Sequence, residues 1–235
     1  MIVILTGAGI SKESGLATFR DADGLWADMR VEDVATPGGF RRNPGQVLKF
    51  YNDRRRELAT VAPNAAHLAL ARLEAEWPEE VLVVTQNVDD LHDRAGSKAL
   101  LHMHGELLKA RCQACGAILP WTTDFGLEDV CPQCRGQGVL RPHIVWFEEV
   151  PLYMDEIERA LSRCRTFVSI GTSGNVYPAA GFVRLARHAG AQTVELNLES
   201  SQGAASFHTG LYGPATRIVP QWVEETLARR RSGLG

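Results

Sequence analysis

Residues 81–106 read VLVVTQNVDDLHDRAGSKALLHMHGE. The run Val81-Leu82-Val83-Val84 is continuously apolar and mostly β-branched, the pattern of a strand covered on both faces of a parallel sheet. It ends in Thr85-Gln86-Asn87, so polar side chains follow directly on the last buried residue. A short helical piece comes next and closes at Gly96, a residue suited to the left-handed turn that ends helices. A second short strand, 98–103, then delivers His104-Gly105-Glu106. In open α/β sheets ligands bind beyond the carboxyl ends of the strands, which puts Gln86, Asn87, Asp89 and His104 where chemistry is expected.

Three further strands have the same design. Residues 2–5 form a short buried strand that feeds Thr6-Gly7-Ala8-Gly9-Ile10-Ser11, where glycine allows a tight turn and close approach to a phosphate near a helix N-terminus. The usual dinucleotide fingerprint wants a third glycine, but Lys12 stands in its place, and no acidic residue follows a second strand about 20 residues on. The stretch 14–26 is irregular and aromatic instead, as expected of a loop that covers a cofactor. This departure counts against a simple hydride-transfer dehydrogenase. Strands at 166–170 and 193–199 complete the set. The four strands therefore end at Gly7, Gln86, Gly171 and Asn197, which along one sheet edge would line a nucleotide crevice.

The other segments fill in the architecture. Residues 31–56 read as an insert of short helices, with turns at Thr36-Pro37-Gly38-Gly39 and Asn43-Pro44-Gly45. The best helix there covers 46–58, and it puts Tyr51 and Arg54 on one face, three residues apart. Further helices are expected at 63–76, 155–163, from Pro178 to near Gly190, and 222–231. The chain of 235 residues, 45% apolar and 23% charged, is an ordinary globular composition. A net charge of −3 argues against nucleic acid or an anionic membrane as the main partner. Neither a leader peptide nor a membrane span is evident.

Cys112-Gln113-Ala114-Cys115, then 15 residues, then Cys131-Pro132-Gln133-Cys134 has the spacing of a four-thiolate zinc ribbon. With all four positions taken by protein, the metal is structural and not catalytic. Two redox pairs or plain buried cysteines are the competing reading. Paired cysteines of this kind point to a reducing compartment, hence the cytoplasm. Cys164 is left over and reads as a small buried hydrophobe. The expected fold is α/β: a Rossmann-like parallel sheet with helices on both faces, over residues 1–109 and 140–235. It carries a helical insert at about 27–60 and a small zinc-ribbon domain at 110–139.

Together, TGAGIS, the Phe19-Arg20 pair, TQNVD, HGE, the two CxxC pairs, GTS and the late strand with Asn197 resemble the sirtuins, the NAD-dependent protein lysine deacylases. The motifs span nearly the whole chain in the family's order. Tyr51-Asn52-Asp53-Arg54 is similar to the Tyr-x-x-Arg motif of the branch that removes acidic acyl groups such as succinyl and malonyl.

The resemblance implies NAD and zinc as cofactors and acylated-lysine proteins or peptides as partners of a monomeric enzyme. It implies that the acyl oxygen attacks C1′ of the nicotinamide ribose, that His104 is the general base on a ribose hydroxyl, and that nicotinamide and O-acyl-ADP-ribose are released. Asn87 would order the ribose hydroxyls and water, Gln86 would contact the ribose, and Asp89 would meet the nicotinamide carboxamide. Arg20 and the Gly7-Ala8-Gly9 backbone would face the phosphates, with Thr172, Ser173, Asn197 and Glu199 across the crevice. Ile10, Thr18, Phe19, Trp26, Val88, Gly171, Leu198 and Ala215 would complete the cofactor pocket. Tyr51 and Arg54 would read the acyl tail, and Val145, Trp146 and Phe147 would offer an edge to the peptide. Members of the family usually carry glycine where this chain has Glu148, which either selects basic flanking residues or points to solvent. His102, His92 and His143 read as structural, and Arg54-Arg55-Arg56 could be no more than a solvated helix face. A protein ADP-ribosyltransferase and a non-catalytic NAD-binding regulator are the alternative functions.

Overall fold

A computed structural model describes residues 1–17, 19–20, 25–26 and 29–232. The chain starts with β1 (Ile2–Thr6) and a one-turn helix α1 (Gly9–Lys12), then the two-residue strands β2 (Phe19–Arg20), β3 (Leu25–Trp26) and β4 (Met29–Arg30). The expected insert follows as α2 (Val31–Val34), α3 (Pro37–Arg42) and α4 (Pro44–Leu58). Next come α5 (Ala65–Glu76), β5 (Val81–Thr85), α6 (Leu91–Ala95) and β6 (Leu100–His102). An antiparallel unit is built from β7 (Gly105–Cys112), β8 (Ile118–Pro120) and β9 (Leu140–Ile144). The chain then returns through α7 (Met154–Leu161), β10 (Thr166–Ile170), α8 (Phe182–His188), β11 (Gln192–Asn197), β12 (Thr209–Tyr212) and α9 (Ala215–Arg231).

The main sheet has the order β12-β11-β10-β1-β5-β6, and every neighbouring pair is parallel. The order reverses between β1 and β10, so the crevice opens at the carboxyl ends of these strands. The register lines those ends up. Thr6 is level with Thr85 on one side and Ile170 on the other, and Ile170 with Leu196. Gly7, Gln86, Gly171 and Asn197 consequently form one row.

Alternation along the strands divides the core in two. Ile2, Ile4, Val81, Val83, Val168 and Ile170 pack beneath α5 and α9 with Leu70, Leu73, Val219 and Val223. Val3, Leu5, Leu82, Val84 and Phe167 pack on the other face with Ile157, Phe182 and Val183 from α7 and α8. Both faces are covered, which accounts for the unbroken apolar runs. A third core joins the helical insert to the antiparallel sheet, through Val34, Phe40, Val47, Tyr51, Leu107, Phe125 and Trp146.

Local chemistry sets the helix starts. Asn43 accepts a hydrogen bond from the N–H of Gln46, with Pro44 at the first helical position. Asn64 and His67 form a reciprocal capping box on α5. The final helix begins seven residues before its expected start and accommodates Pro220 within it. Its first turn is capped from a distance, the N–H and hydroxyl of Thr216 both donating to Glu13. Strand β6 is shorter than expected, and β7, β8, β9, β12 and the three two-residue strands were not foreseen. No helix of the described residues is long and apolar enough to cross a membrane.

Candidate active site

The floor of the crevice is backbone lying on backbone. The N–H of Gly9 donates to the Gly171 carbonyl at 2.8 Å. A Cβ on Gly9 would lie 2.7 Å from the Cα of Gly171, and Gly171 itself has φ +61°. Side chains at both positions are excluded by this packing, so the floor is bare main chain.

A cavity of about 910 Å³ opens above this floor, between the sheet edge, the helical insert and the 144–151 segment. Gly7, Ala8, Gly9, Gln86, Asn87, Val88, Asp89, His104, Gly171, Thr172, Ser173, Asn197, Leu198, Glu199 and Ala215 all line it. So do Trp26, Tyr51, Arg54, Val145, Trp146 and Phe147. Ile10 does not, its side chain being fully buried in the core under α5 and α9. Thr18 lies outside the described residues, as do the side chains of Phe19 and Arg20.

His104 sits in the turn between β6 and β7, with Nδ1 3.0 Å from the carbonyl oxygen of Gln86. A carbonyl only accepts, so Nδ1 carries the proton and Nε2 keeps its lone pair. Burial pushes the pKa of this imidazole down, partly offset by the Gln86 bond, and so it stays neutral at pH 7. Gly105 has φ +84°, and a Cβ there would run into the carbonyl of His143. That requirement explains the glycine after the histidine.

Asn87 and Asp89 are held by Ser11, a residue absent from the expected site. Its hydroxyl donates to Asp89 Oδ2 at 3.0 Å and accepts from Asn87 Nδ2 at 3.1 Å. Nε2 of His67 lies 3.4 Å from the same oxygen. Asp89 also accepts from the N–H of Leu91 at 3.1 Å. Burial nonetheless raises its pKa, against both of those bonds. The clue in the sequence was the polar Ser11 at the end of TGAGIS, where a helix interior gives no reason for a serine.

At the far end, Tyr51 is wholly buried, and its phenol oxygen accepts from Trp146 Nε1 at 2.9 Å. Burial pushes this hydroxyl's pKa up, so its own proton stays available for donation. Arg54 donates through Nη2 to Glu57 at 2.6 Å, while its buried Nε has no partner among the described residues. The solvated-face reading fails for Arg55, which is buried and donates to the Leu107 carbonyl at 2.9 Å. Trp146 is fixed from below by Arg141, stacked 3.5 Å from its ring, and Arg141 is paired with Glu149. Burial alone would raise the Glu149 pKa, but its bonds to Arg141 and the Trp146 N–H bring it below the usual value.

The backbone donors of the edge at 145–147 are already engaged. The N–H groups of Val145, Trp146 and Phe147 donate to the His104 carbonyl, Glu149 and the Ala35 carbonyl. Glu148 follows with φ +75°, a glycine-like conformation, exposed at the rim of the cavity.

The thiols of Cys112, Cys115, Cys131 and Cys134 converge, every sulfur within 4.8 Å of the others. The Cys112–Cys134 and Cys115–Cys131 separations are 3.6 and 3.9 Å. Sulfurs about 2.3 Å from a tetrahedral zinc lie about 3.8 Å apart, so the cluster fits that ion. It stands on β7 and the loops beyond it, away from the cavity, and offers stapling without catalysis.

A profile of the Sir2 family matches residues 7–178. The chain is 59% identical over 228 residues to a protein named NAD-dependent protein deacylase from Pasteurella multocida (strain Pm70), covering 96% of this chain and 97% of that one. It superposes on the crystal structure of a Sir2 homolog–NAD complex with a TM-score of 0.88 at 34% identity, covering 100% of this chain and 90% of the other. It also superposes on Sir2 bound to acetylated peptide, with a TM-score of 0.81 at 26% identity over 100% and 94% of the two chains. With a profile spanning most of its length and relatives this close, the chain is a member of the Sir2 family.

Proposed function

We propose that this protein is an NAD-dependent protein lysine deacylase that accepts acidic acyl groups as well as acetyl. The observation that carries this reading is the neutral imidazole of His104, with Nδ1–H tied to Gln86 and Nε2 left bare at the cavity wall. NAD supplies the ribose that receives the acyl group, and with one water consumed the products are free lysine, nicotinamide and O-acyl-ADP-ribose. His104 accepts the proton of a ribose hydroxyl at Nε2. Asn87 and Gln86 orient the ribose, Asp89 receives the carboxamide, and the Gly7-Ala8-Gly9 backbone takes the phosphates.

The preference for acidic tails is supported by Tyr51 and Arg54, which both line the cavity and would offer a hydroxyl and a guanidinium to a carboxylate. Residues 110–139 are proposed as a zinc-ribbon unit set on the nucleotide-binding part, and the reduced thiols fit a cytoplasmic setting. The test is a panel of acetyl-, succinyl- and malonyl-lysine peptides followed by mass spectrometry with and without NAD. Deacylation is expected only with NAD and in step with nicotinamide release. NAD-derived label appearing on the protein without deacylation would sink the proposal.

A further inference from the structure

Two histidines separated only by Met103 grip successive carbonyls of the β5–α6 loop, and in different ways. His104 offers one nitrogen to the Gln86 oxygen and leaves the other to the cavity. His102 is occupied on both sides. Its Nε2 lies 3.0 Å from Asp93 Oδ2, and its Nδ1 lies 3.5 Å from the carbonyl oxygen of Asn87.

A carboxylate and a backbone carbonyl can only accept. A neutral imidazole has one N–H, so it would turn a lone pair on one of these oxygens. The ring is 7% exposed, so little water reaches it, although the Asp93 carboxylate itself is half-exposed. We infer that His102 is a positioning residue that acts as a standing imidazolium, clamping the carbonyl of Asn87 and the carboxylate of Asp93.

The surroundings suit a cation. Asp93 on α6, Glu106 at the start of β7 and Asp89 in the loop are the acidic groups that act on it. The basic neighbour, His92 on α6, is kept neutral by burial. Burial disfavours charge on His102 too, but Asp93 outweighs it and leaves the ring more basic than usual. Fixing the carbonyl of residue 87 fixes the peptide plane from which the Asn87 side chain reaches Gly7 and Ser11. The loop is laced to the same turn by Met103 N–H to the Thr85 carbonyl and Leu107 N–H to the Val88 carbonyl. His102 thus sets the aim of Asn87 and supplies positive charge behind Asp89 without touching the ligand. Its kinetic consequence rests on the deacylase reading above. Its charge state does not.

The test is nitrogen NMR of the full protein carrying ¹⁵N-histidine, with His102 assigned by the signal lost in His102→Gln or displaced in Asp93→Asn. At pH 7 both ring nitrogens are expected in the protonated range, with a midpoint above 6.5 that falls in Asp93→Asn. One protonated and one bare nitrogen at pH 7 would overturn the inference, whatever the activity. In assays, kcat/KM for NAD should decline above the NMR midpoint, and that decline should move to lower pH in Asp93→Asn. His102→Gln should lose about tenfold in kcat/KM for NAD with peptide KM unchanged. A folded Gln variant with wild-type kcat/KM and an unmoved alkaline limb would refute the positioning role. Wild-type protein with the expected NMR but no deacylation would instead count against the functional reading.

Discussion

Nδ1 of His104 and the carbonyl oxygen of Gln86, 3.0 Å apart, fix the tautomer of the one imidazole among the described residues that both lines the crevice and keeps a bare nitrogen. Only the neutral ring can take a proton, and burial moves its titration below the ordinary 6.5. Activity should hold from pH 7 down past 6.5 and be lost as pH falls through the lowered pKa. A pH profile of kcat/KM for nicotinamide release checks this. His104→Ala should reduce kcat by roughly 10² to 10⁴, and normal turnover in that variant would remove the histidine from the mechanism.

His67 links acid sensitivity to a helix start. Its Nδ1 accepts the N–H of Asn64 in the capping box, and burial pushes its pKa down to about 4. The unfolded chain takes up a proton near pH 6.5 that the folded chain refuses. The stabilisation is therefore complete above that pH and is lost as pH falls toward 4, amounting to about 3 kcal/mol at the lower end. His67→Asn keeps an acceptor for the cap but does not titrate. Urea unfolding between pH 7 and 4 should show a shallower loss for the variant, and parallel curves would contradict this.

Arg54 already has a partner in Glu57. A substrate carboxylate must therefore share or displace Glu57 to reach the guanidinium. Arg54→Met should cut removal of succinyl or malonyl by roughly ten- to a hundredfold while sparing acetyl. Glu57→Gln should shift preference the other way, toward acidic tails. Competition between acetyl and succinyl peptides reads both effects, and an equal loss for the two substrates would exclude tail recognition.

Glu148 holds a backbone conformation that disfavours a side chain by about 1 kcal/mol. Glu148→Gly should leave the thermal midpoint unchanged or raise it, since relieved strain offsets glycine's extra freedom in the unfolded chain. If the carboxylate contacts peptides, the same variant raises KM for peptides with basic residues beside the acyl-lysine. Unchanged KM across charged and neutral peptides would assign the side chain to solvent.

Metal analysis of the folded protein should find about one zinc per chain. Cys115→Ser or prolonged chelation should remove it and lower the unfolding temperature, because binding energy at such a site is folding energy. Full stability without the metal would show that the thiols cluster for another reason.

The centre of the parallel sheet was legible because β1, β5, β10 and β11 each carry a signature, an apolar run that stops at a polar or glycine residue. The row formed by Gly7, Gln86, Gly171 and Asn197 needed only the topology of such sheets. Strand β12, with the sequence TGLY, has no apolar run and is defined by pairing with β11. The early start of α9 depends on Glu13, some two hundred residues away. Ser11, Glu57 and Arg55 escaped for a related reason: each acts through a partner that only the tertiary fold supplies. The glutamate after Phe147 was visible as a departure, but the occupied N–H groups beside it were not.

The core shared by the helical insert and the antiparallel sheet has a mechanical consequence. Cys112 and Cys131 belong to the same apolar cluster as Tyr51, and Arg55, one residue beyond Arg54, lies over the ring of Phe125. Asn52 donates to the Phe125 carbonyl and accepts from its N–H. The helix that would discriminate among acyl tails is thus riveted to the unit that carries the four clustered cysteines, while the glycine floor belongs to the other framework. Gradual zinc withdrawal should therefore blur selectivity among tails before it weakens the grip on NAD, turning a structural ion into a custodian of substrate choice.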